Sequence, residues 1–243
     1  MKNAIAIGLL GVAHLAFAFL YPRFSIPFLW AAASFGLIGL AYGGYGVRIF
    51  QKSPNGRIPW FQKFVLLPYL LLTWSIWHLY RLLSKEDAFN QFDENLVIGR
   101  RLLDSEIPER FDHYVDLTAE FEAPSAIRSQ DCYRSFPILD ASIPPENDLE
   151  VMLEVIKEGR TYVHCAQGHG RTGLFALALL AHRGQIDTVS QGLKLLRKVR
   201  PAVSLNQEQY LFIRQYLNKK RKRGTNPASP PCHLDFIVTR KLG

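Results

Sequence analysis

The residues best able to do chemistry lie in one stretch: His164, Cys165, Ala166, Gln167, Gly168, His169, Gly170, Arg171, Thr172 and Gly173. A β-prone run, Thr161 to His164, leads into it, and a helix-favouring run, Leu174 to His182, leads out. A strand, a loop with two glycines and a helix, in that order, point successive backbone N–H groups into one concavity at a helix N-terminus. Such a concavity binds anions and suits phosphate best. Gly168 and Gly170 let the backbone curl and come close to the ligand. Cys165 opens the loop, where the same N–H groups favour a thiolate, a nucleophile at neutral pH. Arg171 follows at the opening of the helix, and its planar fork can hold two equatorial oxygens of a phosphoryl group. Those oxygens carry the charge that a phosphoryl-transfer site must stabilise.

The Cys165–Arg171 spacing and the fuller pattern His-Cys-x-x-Gly-x-Gly-Arg-Thr-Gly resemble the protein tyrosine phosphatase superfamily, in its dual-specificity branch. The resemblance extends over about Phe92 to Leu217 and includes the runs Asn95 to Gly99 and Arg200 to Gln207. It implies an α/β fold with a central sheet flanked by helices, a phosphocysteine intermediate, and phosphate held by residues 166–171. It also implies that Thr172 eases departure of the thiolate, and that His164 holds the loop and tunes the thiol. A second catalytic group is needed, a carboxylic acid that protonates the leaving oxygen. Asp140, between a strand and Pro144-Pro145, matches the family's acid loop; Asp148 is the alternative, placed to cap the next helix. No metal or other cofactor is expected, since Arg171 and the amides supply the positive field. Lysines found in the loop of some phosphoinositide phosphatases are replaced here by Ala166 and His169. The competing reading is a catalytically silent, membrane-tethered phosphate-binding module.

The elements that must position these groups follow from periodicity. Asn95 to Ile98, Tyr114 to Leu117, Tyr133 to Leu139 and Thr161 to His164 read as strands. Asn147 to Glu158, with Leu149, Met152, Leu153 and Ile156 at helical spacing, reads as a helix ended by Gly159. Two more helices are expected over Val189 to Val199 and Gln207 to Lys219. Strands alternating with helices predict a sheet that is at least partly parallel.

The chain of 243 residues has two unlike parts. Residues 1–85 contain no Asp or Glu and three long apolar runs, about Ala4 to Tyr21, Ile26 to Val47 and Trp60 to Leu83. They read as a transmembrane region of three helices, the third with an interfacial alternative. The middle run is rich in Gly, Ala and Ser, which permits close helix packing. Residues 86–220 have the composition of a soluble catalytic domain, and residues 221–243 read as a basic flexible tail. The net charge of +8 suits anionic lipid or a phosphorylated lipid or protein substrate, and no nucleic-acid partner is expected. Three spans leave the flanking positive charges balanced, so the reducing environment that a reactive thiol needs is what favours a cytoplasmic catalytic domain. Three cysteines without paired spacing exclude a disulfide framework. Cys132 reads as a core or loop residue with a regulatory disulfide to Cys165 as the minor alternative. Arg197, Lys198 and Arg200 read as a solvated helix face.

Overall fold

The computed structural model describes residues 2–107 and 110–224. Two antiparallel helices come first, α1 (Lys2–Leu20) and α2 (Ser25–Leu40). Small residues let them touch: a Cβ built on Gly11 falls 3.2 Å from the Gly36 nitrogen, and one on Gly39 falls 3.4 Å from Gly8 Cα. The helical stretch Pro22–Phe50 is long and apolar enough to cross a membrane, and Ala4–Leu20 is a shorter apolar helix.

The expected third span has a different form. It is two helices, α3 (Trp60–Val65) and α4 (Leu67–Leu83), broken at Leu66. Pro68 lacks an N–H and disfavours helical geometry just before it, so the break falls where the ring cannot be accommodated. The 17 residues of α4 reach only about 26 Å. One face of α4, with Leu70 and Trp77, is buried, and Trp74 and Trp77 hydrogen-bond into the domain that follows. This segment is therefore docked along that domain.

The domain that follows is α/β. Its five strands are β1 (Phe89–Gln91), β2 (Leu96–Arg100), β3 (His113–Thr118), β4 (Tyr133–Ile138) and β5 (Thr161–Cys165), in the order β1-β2-β5-β3-β4. All neighbours are parallel except the edge pair β1 and β2. Strand period two divides the side chains between faces. Leu96, Ile98, Val115, Leu117 and Val163 enter one core, while Val97, Tyr114 and Tyr162 enter another on the opposite face. The first core is covered by α6 (Glu146–Val155), α7 (Gly170–His182), α8 (Val189–Val199) and α9 (Gln207–Gly224); a short α5 (Ser125–Arg128) sits on the other side. A third core joins Phe35, Ile38, Leu66 and Leu70 of the front to Ala119 and Leu139 of the domain.

Three expectations change. Helix α6 ends before Gly159, whose φ of +90° instead turns the chain into β5 beside Asp112. Helix α7 begins at Gly170, so Arg171 and Thr172 belong to its first turn. The expected tail begins inside a helix, because α9 runs on through Lys219 to Arg223. There Lys219 pairs with Glu146 at 2.6 Å and Lys220 donates to the last carbonyls of α7. Cys232 and the rest of the expected tail lie outside the described residues.

Candidate active site

The loop between β5 and α7 closes on itself. The Gly168 N–H donates to Cys165 Sγ at 3.2 Å. Only glycine fits at 168: φ is +78°, and a Cβ there falls 2.4 Å from the Gly99 carbonyl carbon. Cys165, Ala166, Gln167, His169, Gly170 and Arg171 line one cavity of about 410 Å³, together with Asp140 and Glu120. Cys165 ends a fully buried strand, which explains why its side chain is only 3 % exposed.

Arg171 is buried and held on three sides. Its guanidinium donates to both Glu120 oxygens, at 2.7 and 3.0 Å, and to the Ile138 carbonyl at 3.0 Å. Asp140 Oδ1 lies 3.2 Å from Nε as an ion pair rather than a directed hydrogen bond. Burial opposes the charge on Arg171, but Glu120 and Asp140 outweigh it and raise its pKa further. Burial likewise opposes ionisation of Glu120, and the Arg171 guanidinium overcomes it and lowers that carboxyl below its usual range. The pair is thus charged and oriented before any ligand arrives.

Asp140 follows the end of β4, is 70 % exposed, and shares the Cys165 cavity. Asp148 lies in the first turn of α6 and lines a different groove, with Phe136 and Val151. Thr172 is buried, with its hydroxyl 3.5 Å from the Gly99 carbonyl oxygen. His164 is fully buried behind Cys165; burial pulls its pKa down to about 4 against the attraction of Asp116, whose Oδ1 is 3.7 Å away, so it is neutral at pH 7. His169 does not stand free at the rim, since its Nε2 is 2.7 Å from Glu86 Oε2.

Four further residues build the site. Arg200, expected on a solvated face, is 1 % exposed and donates to the carbonyls of Gly168 and Gln167 at 3.0 Å each, bracing the loop from behind. Trp77 of α4 donates its Nε1–H to the Ala166 carbonyl at 2.8 Å. Lys52, from the segment after α2, reaches Asp116 at 2.8 Å in a fully buried ion pair and also donates to Thr118. Tyr133 and Thr118 donate to the same carboxylate. Burial opposes the Asp116 charge, but Lys52 and these donors hold its carboxyl well below the usual range. Glu120, the fourth, carries one sequence signal: a buried arginine requires a counter-charge, and Glu120 lies just past the end of β3. Cys132 and Cys165 are both free thiols, and they pack in cores on opposite faces of the sheet. Among the described residues no group of three or more His, Cys, Asp and Glu is placed to hold a metal ion.

Residues 134–219 match the family described as Protein-tyrosine phosphatase. A protein of Invertebrate iridescent virus 6, named "Putative tyrosine phosphatase 197R", is 33% identical over 138 residues, which is 51% of this chain and 50% of that protein. The chain thus spans half the length of that curated relative. Among solved structures, PTPMT1 in complex with PI(5)P superposes with a TM-score of 0.50 at 13% identity, covering 57% of this chain and 99% of that one. At that identity the likeness concerns the fold alone. A mouse protein named "putative dual specificity phosphatase", complexed with zinc tungstate, gives 0.48 at 17% identity, covering 58% of this chain and 96% of that one.

Proposed function

Because the chain belongs to the protein tyrosine phosphatase superfamily, we propose that it is a membrane-anchored hydrolase of phosphomonoesters that works through a phosphocysteine. The observation that carries this reading is the placement of Cys165 and a charged, pre-oriented Arg171 in one cavity, with a loop N–H already directed at the sulfur. In the first step the Cys165 thiolate attacks phosphorus. The S–P bond forms, the P–O bond to the alcohol breaks, and Asp140 gives its proton to the departing oxygen. Arg171 and the loop N–H groups hold the equatorial oxygens as charge shifts among them. In the second step water, deprotonated by Asp140, attacks phosphorus. The S–P bond breaks, releasing inorganic phosphate and the thiolate. Thr172, whose present hydrogen bond is long at 3.5 Å, turns its hydroxyl toward the leaving sulfur. His164 is neutral and buried; it supports the loop and takes no proton.

Substrates of this site are phosphorylated lipids or phosphoproteins. Anchoring rests on the α1–α2 hairpin. Its two helices return the chain to the side from which it started, so Lys2, Arg48, Arg57, Lys63 and the domain share one side and Arg23 the other. That imbalance favours a cytoplasmic domain.

The test is release of p-nitrophenol from p-nitrophenyl phosphate by the full chain in detergent micelles. The wild-type chain turns over and Cys165→Ser does not. Equal rates in the two proteins remove the thiolate mechanism, and no turnover in either supports the silent binding module.

A further inference from the structure

The cavity around Cys165 has two unlike walls. One is the phosphate loop with Arg171 and Asp140; the other comes from the front of the chain, with Ala6 and Ile7 of α1, Tyr42 just beyond α2, and Tyr69, Ile76 and Trp77 of α4. A phosphate ion needs only the first wall. A cavity of about 410 Å³ lies in the size range that takes a whole small ligand.

The second wall continues outward as apolar track. On α4, Leu72, Ile76 and Leu79 share one helical face and are 44, 52 and 58 % exposed. On α1, Ile5, Leu9 and Val12 form a separate apolar face, turned away from Ile7 and 59, 62 and 61 % exposed. At the far end of the hairpin, roughly 20 Å from Ile7 along α1, Phe19, Leu20 and Ile26 are also exposed. With the hairpin inserted as proposed, the phosphate site beside its starting end lies at the level where lipid headgroups meet hydrocarbon.

We infer that the substrate is a lipid phosphomonoester, whose phosphate enters the Cys165 loop while its chain-bearing part lies against Ile7 and Ile76. This rests on the phosphatase reading above, with a lipid alcohol as the leaving group that Asp140 protonates. A phosphopeptide fits the same wall poorly. Along Ala6, Ile7 and Ile76 its backbone N–H and C=O groups would be desolvated with no hydrogen bond in return, and the polar groups of that wall are few: the hydroxyls of Tyr42, Tyr69 and Thr73, the last already donating to the Leu70 carbonyl. An alkyl chain has no such groups to satisfy and gains by burial.

The experiment uses the full chain in nanodiscs and follows release of inorganic phosphate. The substrates are n-alkyl phosphates from ethyl to octyl, dioleoyl phosphatidate, a phosphotyrosyl peptide and p-nitrophenyl phosphate. The expected result is that kcat/KM rises about tenfold or more from ethyl to octyl phosphate, and that phosphatidate exceeds the peptide. Ile76→Gln and Ile7→Gln each lower the ratio of octyl to aryl turnover by about tenfold. Ile76 is half exposed, so its replacement keeps the test open if Ile7→Gln fails to fold. A flat alkyl series, a peptide that outperforms phosphatidate, or an unchanged ratio in both variants overturns the lipid assignment while leaving the phosphatase reading intact. Absence of aryl turnover in the wild-type chain strikes the phosphatase reading itself.

Discussion

Replacing Lys52 by Met should unsettle a domain that Lys52 precedes by dozens of residues. The lysine and Asp116 are 1 and 0 % exposed and 2.8 Å apart, and Lys52 also donates to the Thr118 carbonyl. Met keeps most of the stem but leaves a buried carboxylate without its cation. Removing one partner of such a pair costs about 3–5 kcal/mol, because the remaining charge is stranded in low dielectric. For a chain of this size that is a fall in Tm of about 6–20 °C. The loss depends on pH in a definite direction. In the wild-type chain the Asp116 carboxyl is held below its usual range. Its contribution is therefore present above the unfolded value of about 3.9 and fades as pH falls through the lower folded value. In Lys52→Met, burial instead raises the folded value, so the variant loses stability as pH rises. The gap between the two proteins is complete at pH 7 and narrows as pH falls toward 4, where Asp116 of the variant takes up a proton, and it closes further only as pH falls toward the wild-type folded value. Thermal melting in micelles followed by tryptophan fluorescence reads this directly, since Trp74 and Trp77 span the same interface. The double change Lys52→Met with Asp116→Asn should recover much of the loss. A Tm within 2 °C of wild type at pH 7 (about 0.5–1 kcal/mol or less), or a gap that widens toward pH 4, would refute the buried-pair argument.

Asp140→Asn should slow hydrolysis of alkyl phosphates far more than of p-nitrophenyl phosphate, by about 100-fold against a few-fold; equal losses remove Asp140 from the acid role. Glu120→Gln keeps the shape beside Arg171 but not the counter-charge, and kcat/KM for aryl phosphate should fall about 10- to 100-fold. Arg200→Lys cannot reach the Gly168 and Gln167 carbonyls together, so inhibition by vanadate should weaken by about tenfold, read as a shift in the inhibition constant. A chain starting at Glu86 lacks Lys52, Trp74 and Trp77, and should show no aryl phosphatase activity under conditions where the full chain turns over.

What was legible in the sequence was local. The stretch from Thr161 to His182 contains its own strand, loop and helix, so Cys165, Gly168 and Arg171 meet through contacts a few residues apart. The same holds for the strands, whose β-branched and aromatic alternation reports two buried faces of one sheet. The short strand β1 carries no such pattern in its Phe-Asn-Gln, and is a strand only because Leu96 to Gly99 offers it an edge.

What only the tertiary structure decided is how distant residues complete the site. Arg171 is oriented by Glu120, 51 positions away; Asp116 is neutralised by Lys52, 64 away; and the loop is tied at Ala166 by Trp77, 89 away. The sequence of α4 reads as a membrane span because apolarity has no direction. A tryptophan facing lipid and one whose N–H is aimed at a buried carbonyl contribute the same hydrophobicity. Likewise Arg200 among basic neighbours reads as surface, and burial becomes affordable only when four acceptors from two separate segments, residues 87–90 and 167–168, converge on it. Chemistry written in adjacent residues survives without coordinates; the partners that charge, brace and roof it are set by packing, which a linear pattern does not encode.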